Sequence, residues 1–381
     1  MVAFSPTPQT ALLAMASFLL ISLPVQAENG VTDTTIVLGQ TAGLTGQVAG
    51  PVKELNEGAN AYIQSVNQRG GVHGRKIEIR SLDDKFDPAV AAQNAETLIK
   101  NEQVFALFQN RGTPHTEALL PIMMANGVPL IGPSTGAALL HAPVNKFIFN
   151  VRAKYQDEVI KAVEHFATLG MQQISLIHVD DSFGGDALAG FNTAMATQKL
   201  TPTAIIKFDR VKPDIAAAAA AAGKGSPRAV IIAASAPTTV DLIKALRAAG
   251  NQAQIMTLSN NSSQAFVKKL GADGVGIIVS QITPAPHLVS SKLGQEFNVA
   301  AKASGATISY AAMEGFVAAK VLVEGLQRAG RNLTRESLIR GLEAINKQDF
   351  GGLMLGYSPT DHTGSEFVEL TMIGKNGAFI R

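Results

Sequence analysis

From Thr34 to Pro133 the sequence repeats one unit: an apolar strand-like run, a short loop of glycine or hydroxyl residues, a helix-like stretch, then a strand again. At its centre stands Gly70-Gly71-Val72-His73-Gly74-Arg75-Lys76, followed by the alternating Ile77-Glu78-Ile79-Arg80 and by Asp83-Asp84. Asp87 then caps a helix opened by Pro88, a position where the missing N–H of proline removes no helical bond. Strands alternating with helices pair in parallel through right-handed crossovers, so the loops after the strands gather at one edge of a sheet. Open α/β sheets bind ligands at that edge. Here the edge loops are neutral and rich in hydroxyls, a composition suited to binding rather than catalysis.

At 381 residues the chain exceeds one ordinary compact domain and suits two. Hydrophobic residues make up 46% and charged residues only 16%, enough apolar side chain for full cores. A net charge of +2 without a dense Lys/Arg cluster leaves no nucleic-acid footprint. The lack of cysteine excludes disulfides, thiolate metal sites, cysteine nucleophiles and a lipidated cysteine anchor. Residues 1–27 look like a secretory signal, with an apolar run over 11–23, Pro24, and the small-x-small pattern Val25-Gln26-Ala27 before Glu28. One departure is that no Lys or Arg precedes Lys53. The run is shorter than the ~20 residues that span a bilayer, so export of a free protein is expected.

The spacing predicts strands over 35–40, 76–83, 104–108 and 128–131, with helices over 52–68, 89–100 and 116–126. Around 147–152 the chain leaves this set. A second set follows, with helices over 155–169, 185–197, 215–222 and 238–249, and strands over 173–179, 203–208, 229–233 and 254–258. Two like sets imply two similar lobes. Thr283-Pro284-Ala285-Pro286 reads as a crossing segment, and 310–330 as a long helix returned to the first lobe. Gly351-Gly352 and Ser358-Pro359-Thr360-Asp361 flank a third crossing near Tyr357. The expected division is 28–152 with 283–353 as lobe 1, and 153–282 with 354–381 as lobe 2. No flexible linker separates them, which suits several short hinge strands.

Several motifs together carry a family resemblance. They are Gln40-Thr41-Ala42-Gly43-Leu44-Thr45-Gly46, the Gly70–Arg75 turn with Asp83-Asp84 and Asp87-Pro88, Pro129-Leu130-Ile131-Gly132-Pro133-Ser134, and Asp180-Asp181-Ser182-Phe183-Gly184. In this order and spacing they resemble periplasmic solute-binding proteins of the branched-chain amino-acid (leucine/isoleucine/valine) ABC transporter family, across essentially the whole chain after the signal. The resemblance implies a type I periplasmic binding protein: an α/β chain with two Rossmann-like lobes, parallel central sheets and three crossing strands. It also implies closure by hinge bending, and delivery of a small solute to ABC permease and ATPase subunits. Carried over by position, the ligand-carboxylate loop is Arg111-Gly112-Thr113-Pro114, with Thr113 at the family's serine. Ser134-Thr135-Gly136 maps to the loop that holds the ligand ammonium, Phe183 to an aromatic covering the ligand, and Ser235 to another lining position.

The departures bear on the ligand. Ser259, within Leu258-Ser259-Asn260-Asn261, stands where the family places the glutamate that pairs with the ammonium. The aromatic expected near Gly50-Pro51 is absent, leaving Gln47 and Val48 to line that wall. A buried ammonium without its anion is costly, whereas Arg111 offers a carboxylate two charge-assisted bonds or else stays at the surface beside the loop. The expected ligand is therefore an amino-acid-like or small carboxylate solute, bound by a monomer with no cofactor.

Two other functions fit parts of the chain. Gly132-Pro133-Ser134-Thr135-Gly136 matches the G-x-S-x-G elbow of a secreted serine hydrolase, with Asp361-His362 as later acid and base. Against it, Pro133 fixes φ where the elbow needs a strained turn, and a lipase-like glycine run is missing. A ligand sensor presenting the same lobes to a separate receptor is the other. Asp180-Asp181 reads as a helix cap in preference to a metal or phosphate site. The seven histidines never take H-x-x-x-H spacing, so no metal is expected, and His115 sits beside the ligand loop.

Overall fold

Strand β1 (Thr35–Ala42) is buried along nearly its whole length, as a central strand of a parallel sheet covered on both faces must be. The computed structural model describes residues 1–3 and 28–381, so the expected signal segment lies almost wholly outside the described residues. After β1 come α1 (Ala49–Gln68), β2 (Lys76–Asp83), α2 (Pro88–Glu96) with a π turn at Thr97–Asn101, β3 (Ala106–Phe108), α3 (Thr113–Ala125), β4 (Leu130–Ile131) and β5 (Ile148–Phe149). Their order in the sheet is β2-β1-β3-β4-β5, parallel throughout. The predicted helix start at 116 falls three residues late, because Gly112 (φ +99°) turns the chain into α3 at once.

The second lobe runs α4 (Tyr155–Thr168), β6 (Ile174–Val179), α5 (Ser182–Thr197), β7 (Ala204–Phe208), α6 (Ile215–Gly223), β8 (Ala229–Ala233), α7 (Ala236–Ala248), β9 (Gln254–Thr257), α8 (Gln264–Leu270) and β10 (Ile278–Gln281). Five of its strands are parallel in the order β7-β6-β8-β9-β10. The chain then returns to the first lobe as α9 (Lys292–Ser304), α10 (Tyr310–Ala329) and α11 (Arg335–Glu343), and as a small antiparallel sheet of β11 (Gln348–Asp349), β12 (Met354–Ser358) and β13 (Asp361–Gly364). Finally β14 (Glu369–Ile373) and β15 (Phe379–Ile380) extend the second sheet antiparallel beside β10.

Helix α10 packs on α1 closely enough to need glycine on both sides: a Cβ at Gly58 would lie 1.7 Å from the Ala312 carbonyl oxygen, and one at Gly315 would lie 1.9 Å from that of Leu55. Leu293, Phe297, Phe316, Leu355 and Tyr357 share one core with Ile36 and Phe149 of the first sheet. This corrects the expected end of lobe 1. Tyr357 and His362 both pack on Phe149, at 5.4 and 4.0 Å between centroids, and Asn150 N donates to His362 O at 2.9 Å. Residues 354–364 therefore belong to the first lobe, and the third crossing follows Gly364 rather than falling near Tyr357. The other two crossings occupy 150–154 and 282–291. No helix among the described residues is long and apolar enough to cross a membrane.

Candidate functional site

The loops at the carboxyl ends of both sheets face each other across a cleft. On the first lobe, Arg111 and Ser134 form a parallel backbone bridge, fixing the two loops side by side. The Arg111 guanidinium donates to Ser134 Oγ at 3.1 Å and, across the cleft, to Asn260 O at 2.8 Å. Both partners are neutral. Burial pushes the Arg111 pKa below its ordinary value, with Glu314 acting in the opposite sense. Among the described residues, no Asp or Glu lines the cavity.

The rest of the wall is mostly aromatic and aliphatic, with the rings of Phe86, Tyr155, Phe183 and Phe208. Asp181 accepts from Phe183 N at 2.9 Å and Gly184 N at 3.1 Å, capping α5 and setting Phe183 at the mouth. The same carboxylate pairs with Arg210, whose guanidinium lies 5.3 Å from the Phe86 centroid across the cleft. Phe86 holds a left-handed backbone (φ +60°), and its ring stacks on His115 at 4.3 Å. Burial pushes the His115 pKa down to about 4, so the ring is neutral near pH 7. Beneath the loop, buried Asp84 accepts from Phe86 N at 2.8 Å, and desolvation raises its pKa to about 6.

Of the residues singled out in the sequence, Arg111, Thr113, Ser134, Phe183 and Ser235 line this cavity. Thr135 stands behind them, its hydroxyl 2.7 Å from that of Thr113. Gly136 backs onto the hinge: its carbonyl accepts Tyr155 N at 2.7 Å, and a Cβ there would lie 2.6 Å from Ala153 O. Gln47 is exposed and does not line the wall, which Val48 and Pro51 form instead. Ser259 is turned away from the cavity: its Oγ accepts from Arg152 at 2.6 Å and donates to Glu158 at 2.9 Å. Tyr155, Phe86, Arg210, Thr238 and Asn260 were not foreseen as lining residues. The signals available were Asp84 and Asp87 bracketing Phe86, and Arg152 in the crossing three residues before Tyr155, the first residue of α4.

The sequence profile of the family described as "Periplasmic binding protein" matches residues 35–378. The chain belongs to the periplasmic binding protein family. Among curated relatives of this periplasmic binding protein, "Leu/Ile/Val-binding protein homolog 3" of Brucella melitensis is 22% identical over 302 residues, covering 77% of this chain and 79% of the relative. A substrate-binding periplasmic protein from Ralstonia solanacearum superposes with a TM-score of 0.85 at 29% identity, covering 91% of this chain and 99% of that one. The same fold is seen in a solute-binding protein of an ABC transporter from R. palustris, in complex with benzoate (TM-score 0.80, 19% identity, 91% of this chain and 95% of that one).

Proposed function

We propose that this protein is the solute-binding component of an ABC importer in the periplasm, taking a small organic acid with an apolar, aromatic-sized body and delivering it to a permease. The observation that carries this reading is Arg111, a buried guanidinium that donates to neutral oxygens, in a cavity with no lining carboxylate among the described residues. A ligand carboxylate beside it gains charge-assisted bonds of roughly 1.5–3 kcal/mol each. An α-ammonium finds no lining anion, and Ser259 is engaged by Arg152 and Glu158. Four rings supply the apolar contact. The benzoate held by the R. palustris neighbour is an acid of this kind.

Binding without chemistry is the better reading of Ser134, whose Oγ accepts from Arg111. His362 points its Nδ1 to Ile148 O at 2.9 Å and stacks on Phe149, far from the role of a base for Ser134. Titration calorimetry with benzoate, phenylacetate and leucine tests the ligand class. The acids should bind and leucine should bind weakly or not at all; sub-micromolar leucine with no acid binding would overturn the assignment.

A further inference from the structure

At the lobe seam beside the cavity stands a carboxylate whose surroundings change with closure. Asp186, on α5 of the second lobe, accepts the backbone N–H of Ala138 in the first lobe at 3.2 Å and the Gln156 amide at 2.7 Å, both through Oδ1. Its Oδ2 is buried and meets no hydrogen-bond donor of the protein among the described residues. The charges acting on it most strongly, Asp157 and Glu158 on α4, are of its own sign. Nearby cations are committed elsewhere: Lys154 to Asp157, Arg152 to Glu158, and Arg210 to Asp181. His141, beside the Ala138–Leu140 turn, is pushed down to about 3 by burial, and His115 on α3 to about 4. Glu117 on α3 is exposed.

When the lobes part, Ala138 withdraws and water reaches this carboxylate. The Gln156 bond lies within the second lobe, so closure exchanges hydration for one bond, from Ala138 N, and leaves Oδ2 bare, an unfavourable exchange for an ion. We propose that Asp186 is a brake on lobe closure: ionised, it holds back the closed state, and neutralising it shifts the population toward closure and tightens solute binding.

In the closed form burial raises the Asp186 pKa above its ordinary 3.8, while the bonds from Gln156 and Ala138 pull the other way. A carboxyl whose pKa rises on closure takes up a proton as the lobes close. The brake is thus fully on above the raised value and is released as pH falls through it. Each unit by which closure raises the pKa is about tenfold in the closure equilibrium.

Small-angle scattering of the ligand-free protein reads this directly, resting on the proposed solute-binding role and the hinge bending the resemblance implies, with the identity of the solute left out. At pH ~7.5, Asp186→Asn should have a smaller radius of gyration than the wild type, and acidification to pH ~5 should shrink the wild type but not the variant. Gln156→Leu removes the side-chain donor and should act in the opposite direction, giving a more open protein with a steeper pH response. A merely structural role would move both variants the same way. Equal radii for wild type and Asp186→Asn at both pH values, or a more open Asp186→Asn, would overturn the proposal. Benzoate calorimetry is scored separately: failure there reflects on the ligand class and leaves the scattering result standing.

Discussion

Arg111 is a buried charge that the proposed function makes useful only when an acid is bound. Its guanidinium is buried, contacts only neutral oxygens, and has its pKa pushed down by burial. Arg111→Met should therefore abolish benzoate binding, by roughly a hundredfold or more if two charge-assisted bonds are lost. The ligand-free melting temperature should stay level or rise, because an apolar chain replaces a desolvated charge. Intact binding with a lowered melting temperature would make Arg111 a structural residue. The place of Arg111, Thr113 and Ser134 in the cavity wall was legible because they stand where β3 and β4 end. Ser259 follows β9 in the same way, yet Glu158, 101 residues earlier, claims its N–H and hydroxyl. No local pattern announces a competitor that distant. The same holds for Phe86 and Arg210, which meet only through the fold.

At the scale of elements, the first crossing is fastened by an ion network. Arg152 donates to Glu158 on α4 at 2.6 Å and to Glu314 on α10 at 3.5 Å, so one side chain touches both lobes. Burial works against its charge, but Tyr155, Glu314 and Glu158 together hold its pKa above the ordinary arginine value. Glu158 also accepts from Ser259 N and Ser280 Oγ, at 2.9 and 2.5 Å. Glu158→Ala leaves a buried cation short of one anion and three donors, Ser259 N, Ser259 Oγ and Ser280 Oγ, without their acceptor, and should cost about 3–5 kcal/mol in denaturant unfolding. The combined change Arg152→Met, Glu158→Leu should recover much of that loss, since paired charges replaced by apolar groups are often tolerated. A loss below about 1 kcal/mol for Glu158→Ala would show that the network is not a fastening. Most helices and parallel strands could be read from periodicity to within a few residues. The small sheet β11–β13 could not, because β11 is two residues long and its register depends on the Gly351-Gly352 turn held by Asp349 Oδ1.

For the whole molecule, the hinge reading turns on the distance between lobes. Arg111 reaches Asn260, Ala138 reaches Asp186, and both oxygens of Glu54 on α1 accept from α8, at 2.9 Å from Gln264 N and 2.7 Å from Ala265 N. Each of these bonds joins one lobe to the other, so hinge opening would break all of them. Sequence spacing revealed two lobes and their crossings, but put the last one too early, since the packing of Tyr357 and His362 on Phe149 is tertiary. The seam offers a direct trap. A Cβ built at Gly50 on α1 lies 2.9 Å from the Ala265 Cβ on α8, somewhat inside the ~3.5–4.5 Å of a disulfide, so a slight outward shift suffices. The chain has no cysteine to compete with an engineered pair. Gly50→Cys with Ala265→Cys should cross-link readily under mild oxidation when benzoate is present, and slowly when it is absent. Once linked, the protein should release benzoate far more slowly until a reductant opens the bridge. If the cysteines join equally fast with and without a bound acid, solute binding does not drive the lobes together, and the hinge mechanism fails.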